Sequence, residues 1–389
     1  MEVADVVRAA GDAFIERNRH WLSWKHVKVL LAIRRCRTAA LGGHLDQCSR
    51  CGHQAISYNS CRNRHCPKCQ TSARERWIFA RKQELLPTPY AHIVFTLPGH
   101  LAPLVLQNRK LLYGLLFRTS AETLLEVASD PRHLGAEIGF FSVLHTWSQK
   151  LSLHPHVHCV VPAGGLSPDH TRWVRSEKNF FLPKRVLSRL FRGKFVHALK
   201  QAFQNGQLQF QGNLALLAEP KIFNAWLRPL YRQDWIVYLK RPFGGPQHVL
   251  QYLGRYTHRV AISNHRLVVF SNGRVTFRWR DSVHQNQQKL MTLSVDEFLR
   301  RFLLHILPKG FMRIRHFGFL ANRRRATLLP VCFDRLGTSQ PASAEPHGAA
   351  EHATDLYRCP NCGEPMVITQ RFTAAEIQLR SPPELSVAA

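Results

Sequence analysis

The chain has 389 residues, of which 45% are hydrophobic, so it can form two or three domains with substantial cores. It carries 54 lysine and arginine residues against 25 acidic residues, a formal net charge of +29 spread over most of the chain. This excess favours DNA as the partner, and the apolar runs are too short to span a bilayer, which argues against a membrane protein.

The N-terminus carries Glu2 and Asp5 and has no apolar signal-peptide core. We therefore expect a cytoplasmic protein associated with the nucleoid. Residues 1 to about 40 have apolar side chains at intervals of three or four, which predicts helices. The same stretch is basic, which fits either a partly solvated helical pair or helices that contact DNA.

Residues 44 to 70 have little apolar content and cannot form a core without a metal ion. Cys48-x-x-Cys51 is followed by Cys66-x-x-Cys69, and thiolates at this spacing converge on a tetrahedral ion. We predict one structural zinc ion bound by these four cysteines, since zinc is favoured over disulfides in a chain that is not exported. Three nearby residues with ligand chemistry are either core or neighbouring residues or part of a second site: His53, Cys61 and His65.

From Tyr90 onward the pattern alternates between strands and helices. The predicted strands are residues 91–97, 138–147, the segment around His156, 235–240, 267–270 and 275–279. The predicted helices are residues 71–86, 108–128, 184–204, 246–258 and 294–306. Asn272-Gly273 predicts a hairpin turn, and Ser294 with Glu297 predicts a capping box. This mixture predicts an α+β fold, with an antiparallel sheet flanked by helices.

The C-terminal part has a different composition. Residues 337 to 355 are rich in glycine, proline, serine and alanine and predict a disordered linker. The Cys359-x-x-Cys362 pair that follows is half of a zinc ribbon. Either this knuckle binds no metal or other residues of the fold complete its site, and Cys332 is one possible third ligand.

Histidines dominate the segment from His154 to His158. In a strand, side chains alternate, so His156 and His158 point to one face. A polar group without a partner is costly inside an apolar strand, so a role in holding a divalent metal ion against a phosphate competes with a purely structural role.

Two tyrosines, Tyr252 and Tyr256, lie four residues apart in the predicted helix 246–258, so they stand on one face, one turn apart. Their rings either pack into the core or present two hydroxyl groups to a phosphate. Metal, Arg255 or Arg259 could assist the attack of such a hydroxyl, whose ordinary pKa is about 10.

Three segments together resemble the HUH endonucleases, and most closely the two-tyrosine rolling-circle transposases of the insertion sequence 91 family with their N-terminal zinc-binding domain. The segments are Cys-Arg-Asn-Arg-His-Cys-Pro-Lys-Cys (61–69), His-Pro-His-Val-His-Cys-Val-Val-Pro-Ala-Gly-Gly (154–165) and Tyr-Leu-Gly-Arg-Tyr-Thr-His-Arg-Val-Ala-Ile-Ser-Asn (252–264). The resemblance extends from the N-terminal helices to about Leu328. It implies three segments: a helical and zinc-binding module at 1–89, an HUH-type catalytic domain at 90–328, and a linker with a C-terminal knuckle at 329–389.

The resemblance implies that His156 and His158 bind Mg²⁺ or Mn²⁺ and that Tyr252 and Tyr256 are the nucleophiles. A third metal ligand would come from elsewhere in the chain, and the role of His154 stays open. The implied function is to nick and rejoin single-stranded DNA at transposon ends through 5′-phosphotyrosine intermediates. Four aromatic residues are either base-stacking platforms or core residues: Trp235, Tyr238, Phe277 and Trp279.

Two alternative functions remain at this point. A plasmid replication initiator or relaxase would use the same chemistry, although the N-terminal zinc module disfavours it. A non-enzymatic, zinc-containing DNA-binding regulator would use the same tyrosines and histidines as core residues.

Overall fold

The structure is a computed structural model that describes residues 1–177, 181–243, 249, 260–281, 284–339 and 358–380. None of the helices in these ranges is both long enough and apolar enough to cross a lipid bilayer. The helices are, in chain order, α1 (Val3–Arg17), α2 (Trp24–Arg35), α3 (Pro67–Lys82), α4 (Ala102–Gln107), α5 (Arg109–Ser129), α6 (Lys184–Gln204), α7 (Pro220–Leu227), α8 (Val295–Leu304), α9 (Asn322–Arg335) and α10 (Ala374–Arg380).

Most strands are short. They are, in chain order, β1 (Gly43–Cys48), β2 (Gln54–Tyr58), β3 (Tyr90–Thr96), β4 (Gly139–Trp147), β5 (Leu153–Pro162), β6 (Gly164–Leu166), β7 (Trp173–Arg175), β8 (Val237–Phe243), β9 (Leu267–Ser271), β10 (Arg274–Asp281), β11 (Gln287–Ser294), β12 (Ile314–Gly318) and β13 (Met366–Phe372). The predicted α+β fold with antiparallel sheets is therefore confirmed.

Several elements were not predicted from the sequence, among them β11, β12 and α9. The side chains of β11 are exposed or half-buried in turn, and its first residues are polar, so no apolar alternation marks it. In β12 a basic residue fills a core position, because the Arg315 guanidinium stacks over the Phe117 ring at 4.5 Å. Of the predicted helix 246–258, only Val249 lies within the described residues, and it is helical.

The chain divides into two compact units. The first contains residues 1–73, 262–299 and the described part of 342–389, and the second contains residues 74–261 and 300–341. These units do not follow the three segments expected from the sequence. Residues 262–299 and the C-terminal knuckle group with the N-terminal module, because their strands and ion pairs join them to it. Examples are the pairing of β13 with β1 and the ion pair between Arg17 and Asp296, 2.8 Å.

In the first unit, α1 and α2 pack against each other through apolar side chains that include Val6, Phe14, Leu30 and Ile33. The Ser23 hydroxyl caps α2 by accepting a hydrogen bond from the His26 backbone N–H. A small antiparallel sheet follows, with the strand order β13-β1-β2.

A second sheet of the first unit has the order β11-β10-β9. The predicted hairpin turn is confirmed, because Asn272 and Gly273 both have positive φ, at 49° and 67°, between β9 and β10. The predicted cap of α8 is also present, since the Ser294 hydroxyl accepts a hydrogen bond from the Glu297 backbone N–H.

The second unit is built on an antiparallel five-stranded sheet with the order β12-β4-β5-β3-β8. Alternate residues of the three inner strands, such as Phe95, Leu144 and Val157, point towards α5 and α6 and are fully buried. The opposite face of the sheet carries histidines on β12, β4, β5 and β3. The sheet therefore has one face that forms the core and one face that presents polar chemistry.

Candidate active site and metal centres

Three histidines meet on this second face of the sheet. Ring nitrogens of His145, His156 and His158 lie within 4.8 Å of one another. The strand register explains the grouping, because His145 on β4 is directly opposite His156 on β5, and His158 is two residues further along β5. The predicted pair thus shares one face of the central strand of the sheet, as its alternation implies.

His145 was not identified from the sequence. The strand that carries it was predicted, as residues 138–147, but a lone histidine in a strand does not indicate a ligand. The short turn between β4 and β5 is the signal that could have found it, since a tight hairpin fixes which residues face each other. We assign His145 as the candidate third ligand that the resemblance left unplaced.

The protonation state of His156 suits metal binding. Burial lowers the pKa of His156 to about 4, while the hydrogen bond to the His154 carbonyl opposes this shift and the charge on His154 adds to it. His156 is therefore neutral near pH 7. Its Nδ1 donates to the His154 carbonyl oxygen at 2.7 Å, which leaves the lone pair on Nε2. A neutral imidazole with its second nitrogen fixed in this way is the form that binds a metal ion.

A fourth histidine, His92 on β3, supports the cluster without joining it. Its Nε2 lies 2.9 Å from Nδ1 of His158, and the two rings are stacked with centroids 5.1 Å apart. Burial, together with the charges of Lys240 and His156, lowers the pKa of His92 to about 3. This contact holds the His158 ring in one orientation. His154, whose pKa burial also lowers, lies beside His156 but outside the group of three.

The predicted nucleophiles Tyr252 and Tyr256 lie outside the described residues, as do Arg255 and Arg259. Val249, three residues before Tyr252, is described: it is helical and fully buried. It packs in an apolar cluster that includes Phe141, Val143 and Val160. These side chains share the sheet face of the histidines, because Val143 is directly opposite His158. Val249 therefore packs against the histidine face of the sheet.

The four candidate stacking residues have different environments. Trp235 is buried, with its indole N–H donating to the Leu230 carbonyl at 3.0 Å, and Phe277 is also fully buried, so both are core residues. Trp279 is half-buried on β10. Tyr238 is 53% exposed, and its ring lies 6.2 Å from that of His92. Tyr238 is therefore the one of the four that stands exposed on the histidine face.

The predicted single zinc centre is wrong in its grouping. The structure separates Cys48 and Cys51 from Cys66 and Cys69. Two groups of four cysteines exist among the described residues, each with sulfurs within 4.8 Å of one another. They are Cys36, Cys61, Cys66 and Cys69, and Cys48, Cys51, Cys359 and Cys362.

The neighbouring secondary structure explains how the first group forms. Cys66 precedes α3 and Cys36 caps the end of α2, which places the thiol of Cys36 3.5 Å from that of Cys69. Cys61 is also 3.5 Å from Cys69, so this residue is a member of the first group. His53 and His65 belong to neither group, and Cys332 is buried in an apolar cluster with Leu329 and Phe333.

Comparisons with known proteins agree with this arrangement. A family model described as "Putative transposase" matches residues 139–327, and one described as "Transposase zinc-binding domain" matches residues 6–97. The protein named "Putative transposase y4qJ" of Sinorhizobium fredii is 54% identical over 377 residues, which cover 95% of this chain and 94% of that protein. The transposase for insertion sequence element IS801 of Pseudomonas savastanoi pv. phaseolicola is 32% identical over 363 residues, which cover 90% of this chain and 85% of that protein.

The two matched regions coincide with the described centres. The three histidines lie inside the region that matches the transposase model. The first cysteine group lies wholly inside the zinc-binding match, which fits structural zinc, whereas only Cys48 and Cys51 of the second group do.

Proposed function

The chain belongs to the transposases of the insertion sequence 91 family, and from this premise we propose that it cleaves and rejoins single-stranded DNA at transposon ends through 5′-phosphotyrosine intermediates, driving rolling-circle transposition. The observation that carries the proposal is the group of three histidines on the sheet face against which Val249 packs. Family membership also decides against the two alternatives drawn from the sequence, a replication initiator and a non-enzymatic regulator.

The histidine group fits a divalent metal ion. His145, His156 and His158 would hold it through imidazole nitrogens, a donor set that suits Mn²⁺ better than Mg²⁺. When bound, such an ion supplies a Lewis acid for the scissile phosphate and its leaving oxygen. Burial keeps His156 neutral and so keeps its lone pair available.

The chemical step exchanges one phosphodiester for another. A tyrosine hydroxyl oxygen, from Tyr252 or Tyr256, forms a bond to the phosphorus while the bond from phosphorus to the 3′ oxygen breaks. The phenolic proton leaves the tyrosine, and the released 3′ oxygen takes up a proton to become a free hydroxyl. Because no water is consumed, the bond energy is retained and a 3′ hydroxyl can later displace the tyrosine and reseal the strand.

The exposed surface near the site suits a single strand. Tyr238 offers a ring on which a base can stack, and Lys240 follows on the same face of β8. The net charge of +29 provides the sequence-independent attraction to phosphates. A duplex would have to be melted locally before its bases could reach this face.

A covalent-trapping experiment tests the proposed chemistry directly. The full chain is incubated with single-stranded oligonucleotides of both transposon ends and Mn²⁺, then separated on a denaturing gel. We expect a labelled protein–DNA adduct, which disappears when EDTA replaces Mn²⁺. Protein that binds these strands but forms no adduct with Mn²⁺ or Mg²⁺ contradicts the phosphotyrosine mechanism.

His92 provides a separate prediction about metal binding. We expect His92→Ala to weaken Mn²⁺ binding by about 10- to 100-fold, because the His158 ring loses the group that fixes its orientation and its lone pair. His92→Gln, which can still bond to His158, should recover part of the loss. Isothermal titration of the full chain with Mn²⁺ measures the effect.

The matched control is His316→Ala. His316 is also a histidine on this sheet face with a lowered pKa, of about 4, but it lies on β12 beside Phe141 and outside the group of three. Circular dichroism checks that each variant folds. Equal Mn²⁺ affinity in His92→Ala and the unmodified protein would show that His92 is only a core residue.

A further inference from the structure

Two cysteine knuckles of the first unit have the same backbone geometry. In the first, the Cys48 N–H donates to the His53 carbonyl at 2.8 Å and the Gly52 N–H donates to the Cys48 carbonyl at 3.2 Å. In the second, the Cys359 N–H donates to the Glu364 carbonyl at 2.8 Å and the Gly363 N–H to the Cys359 carbonyl at 2.9 Å. The donors and acceptors occupy equivalent positions in the two turns.

The glycines of these knuckles match as well. Gly52 has φ of +72° and Gly363 has φ of +75°, a backbone region that side-chain-bearing residues rarely adopt. Each glycine directly follows the second cysteine of its Cys-x-x-Cys pair. The two turns are therefore equivalent halves, separated by about 300 residues of sequence, of one two-knuckle site.

The sulfur positions point to a metal ion and not to disulfides. The Sγ atoms of Cys48 and Cys362 are 3.4 Å apart, and those of Cys51 are 3.5 Å from Cys359 and 3.6 Å from Cys362. A disulfide requires about 2.05 Å. Four thiolates about 2.3 Å from one tetrahedral zinc ion lie about 3.8 Å from each other, which is close to the observed separations.

The surroundings of these four cysteines contain too little apolar material to hold the knuckles together. The apolar cluster at this site consists of Cys48, Cys359 and Met366, which are buried, with Ala55 and Cys362 partly buried against them. Strand pairing sets the approach, because Cys48 on β1 is directly opposite Met366 on β13. The pairing aligns the turns, but the segment 358–380 has no core of its own that could keep it there.

We propose that Cys48, Cys51, Cys359 and Cys362 bind a second structural zinc ion, distinct from the ion held by Cys36, Cys61, Cys66 and Cys69, and that this ion fastens the C-terminal segment to the N-terminal zinc-binding domain. The zinc-binding domain is thus assembled from both ends of the chain. It is complete only after residue 362 has been synthesised. The proposal does not depend on the phosphotyrosine chemistry, since it concerns different residues.

The first test is the zinc content of the purified full chain, measured by inductively coupled plasma mass spectrometry. We expect two zinc ions per chain in the unmodified protein and one in the double variant Cys359→Ser/Cys362→Ser. The control Cys332→Ala, which removes a buried thiol outside both groups, should keep two. One zinc ion in the unmodified protein, or two in the double variant, overturns the proposal.

A ligand exchange separates metal binding from packing. Zinc accepts three cysteines and one histidine as readily as four cysteines. Cys362 is half-buried, so there is room for the larger ring. We expect Cys362→His to keep two zinc ions and Cys362→Ser to lose one. If Cys362→Ser keeps both ions, Cys362 is not a ligand.

Disulfide formation is the competing chemistry, and a thiol count decides it. The chain has ten cysteines. Protein unfolded with chelator and without reductant should show all ten as thiols if zinc is bound. Two disulfides within the second group consume four of them and leave six, which overturns the proposal.

Limited proteolysis is a further test of the second zinc ion. Removal of the second ion should release residues 358–380 from the sheet, so limited proteolysis should cut this segment in the double variant and spare it in the unmodified protein. Cleavage of the segment at equal rates in both would show that strand pairing alone retains it. Because Cys51 is exposed while Cys36, Cys66 and Cys69 are buried, a chelator should remove the second ion before the first.

Discussion

Substituting His156 by alanine is expected to lower the rate of strand cleavage by about a thousandfold or more and to leave DNA binding largely unchanged. His156 lies directly opposite His145 and within the group of three histidines, so its loss removes one of the three proposed metal ligands. A Lewis acid at a scissile phosphate contributes several kcal/mol, and about 4 kcal/mol corresponds to about a thousandfold in rate. Adduct formation and nicking of single-stranded ends measure the loss.

Binding should survive because it depends on a distributed charge. With a net charge of +29 spread along the chain, the affinity for single strands should fall steeply with salt and should not depend on one imidazole. Fluorescence anisotropy at two or three salt concentrations checks this. If His156→Ala weakens binding as much as it weakens cleavage, the histidines stabilise the fold instead of acting on the phosphate.

The matched control for this variant is His154→Ala. His154 is a histidine on the same strand, with a ring centroid 5.2 Å from that of His156, but it is not one of the three clustered histidines. The bond that orients His156 uses the backbone carbonyl of His154, which alanine retains. His154→Ala should therefore keep most of the cleavage activity.

The sequence predicts elements well where the apolar pattern is regular. The helix 184–204 has the predicted bounds, and the strand that contains His92 was predicted to within about a residue at each end. The pattern fails where burial does not follow hydrophobicity. In β12, an arginine stacked on aromatic rings occupies a position that an apolar residue would mark.

Sites assembled from distant segments are harder to predict. Cys-x-x-Cys spacing correctly indicates which two cysteines share a turn, because that depends on local geometry. Which turns share an ion depends on strand pairing: β1 pairs with β13, more than 300 residues later, and this pairing brings Cys48 to Cys362. His145 was missed for the same reason, since the register of β4 against β5, and not the sequence around His145, places it beside His156.

The four-residue spacing of Tyr252 and Tyr256 leads to the last prediction. On a helix these residues stand one turn apart, with about 5–6 Å between their Cβ atoms, so both hydroxyls can reach one phosphate site but in different orientations. Val249, which packs on the histidine face, is compatible with such a helix. We therefore expect both tyrosines to be nucleophiles, with roles that are not equivalent.

Substitution by phenylalanine isolates the chemistry, because it keeps the ring and its packing and removes only the attacking oxygen. Tyr252→Phe and Tyr256→Phe should each abolish complete transposition, since rolling-circle transfer requires two strand attachments, whereas each should still form some adduct with an isolated end. The double variant should form none, at Mn²⁺ affinity equal to that of the unmodified protein. An adduct in the double variant would place the nucleophile elsewhere, and Tyr238, exposed near His92, is then the first residue to substitute. Complete transposition by either single variant would instead establish a mechanism with one tyrosine, in which the second hydroxyl only contacts DNA.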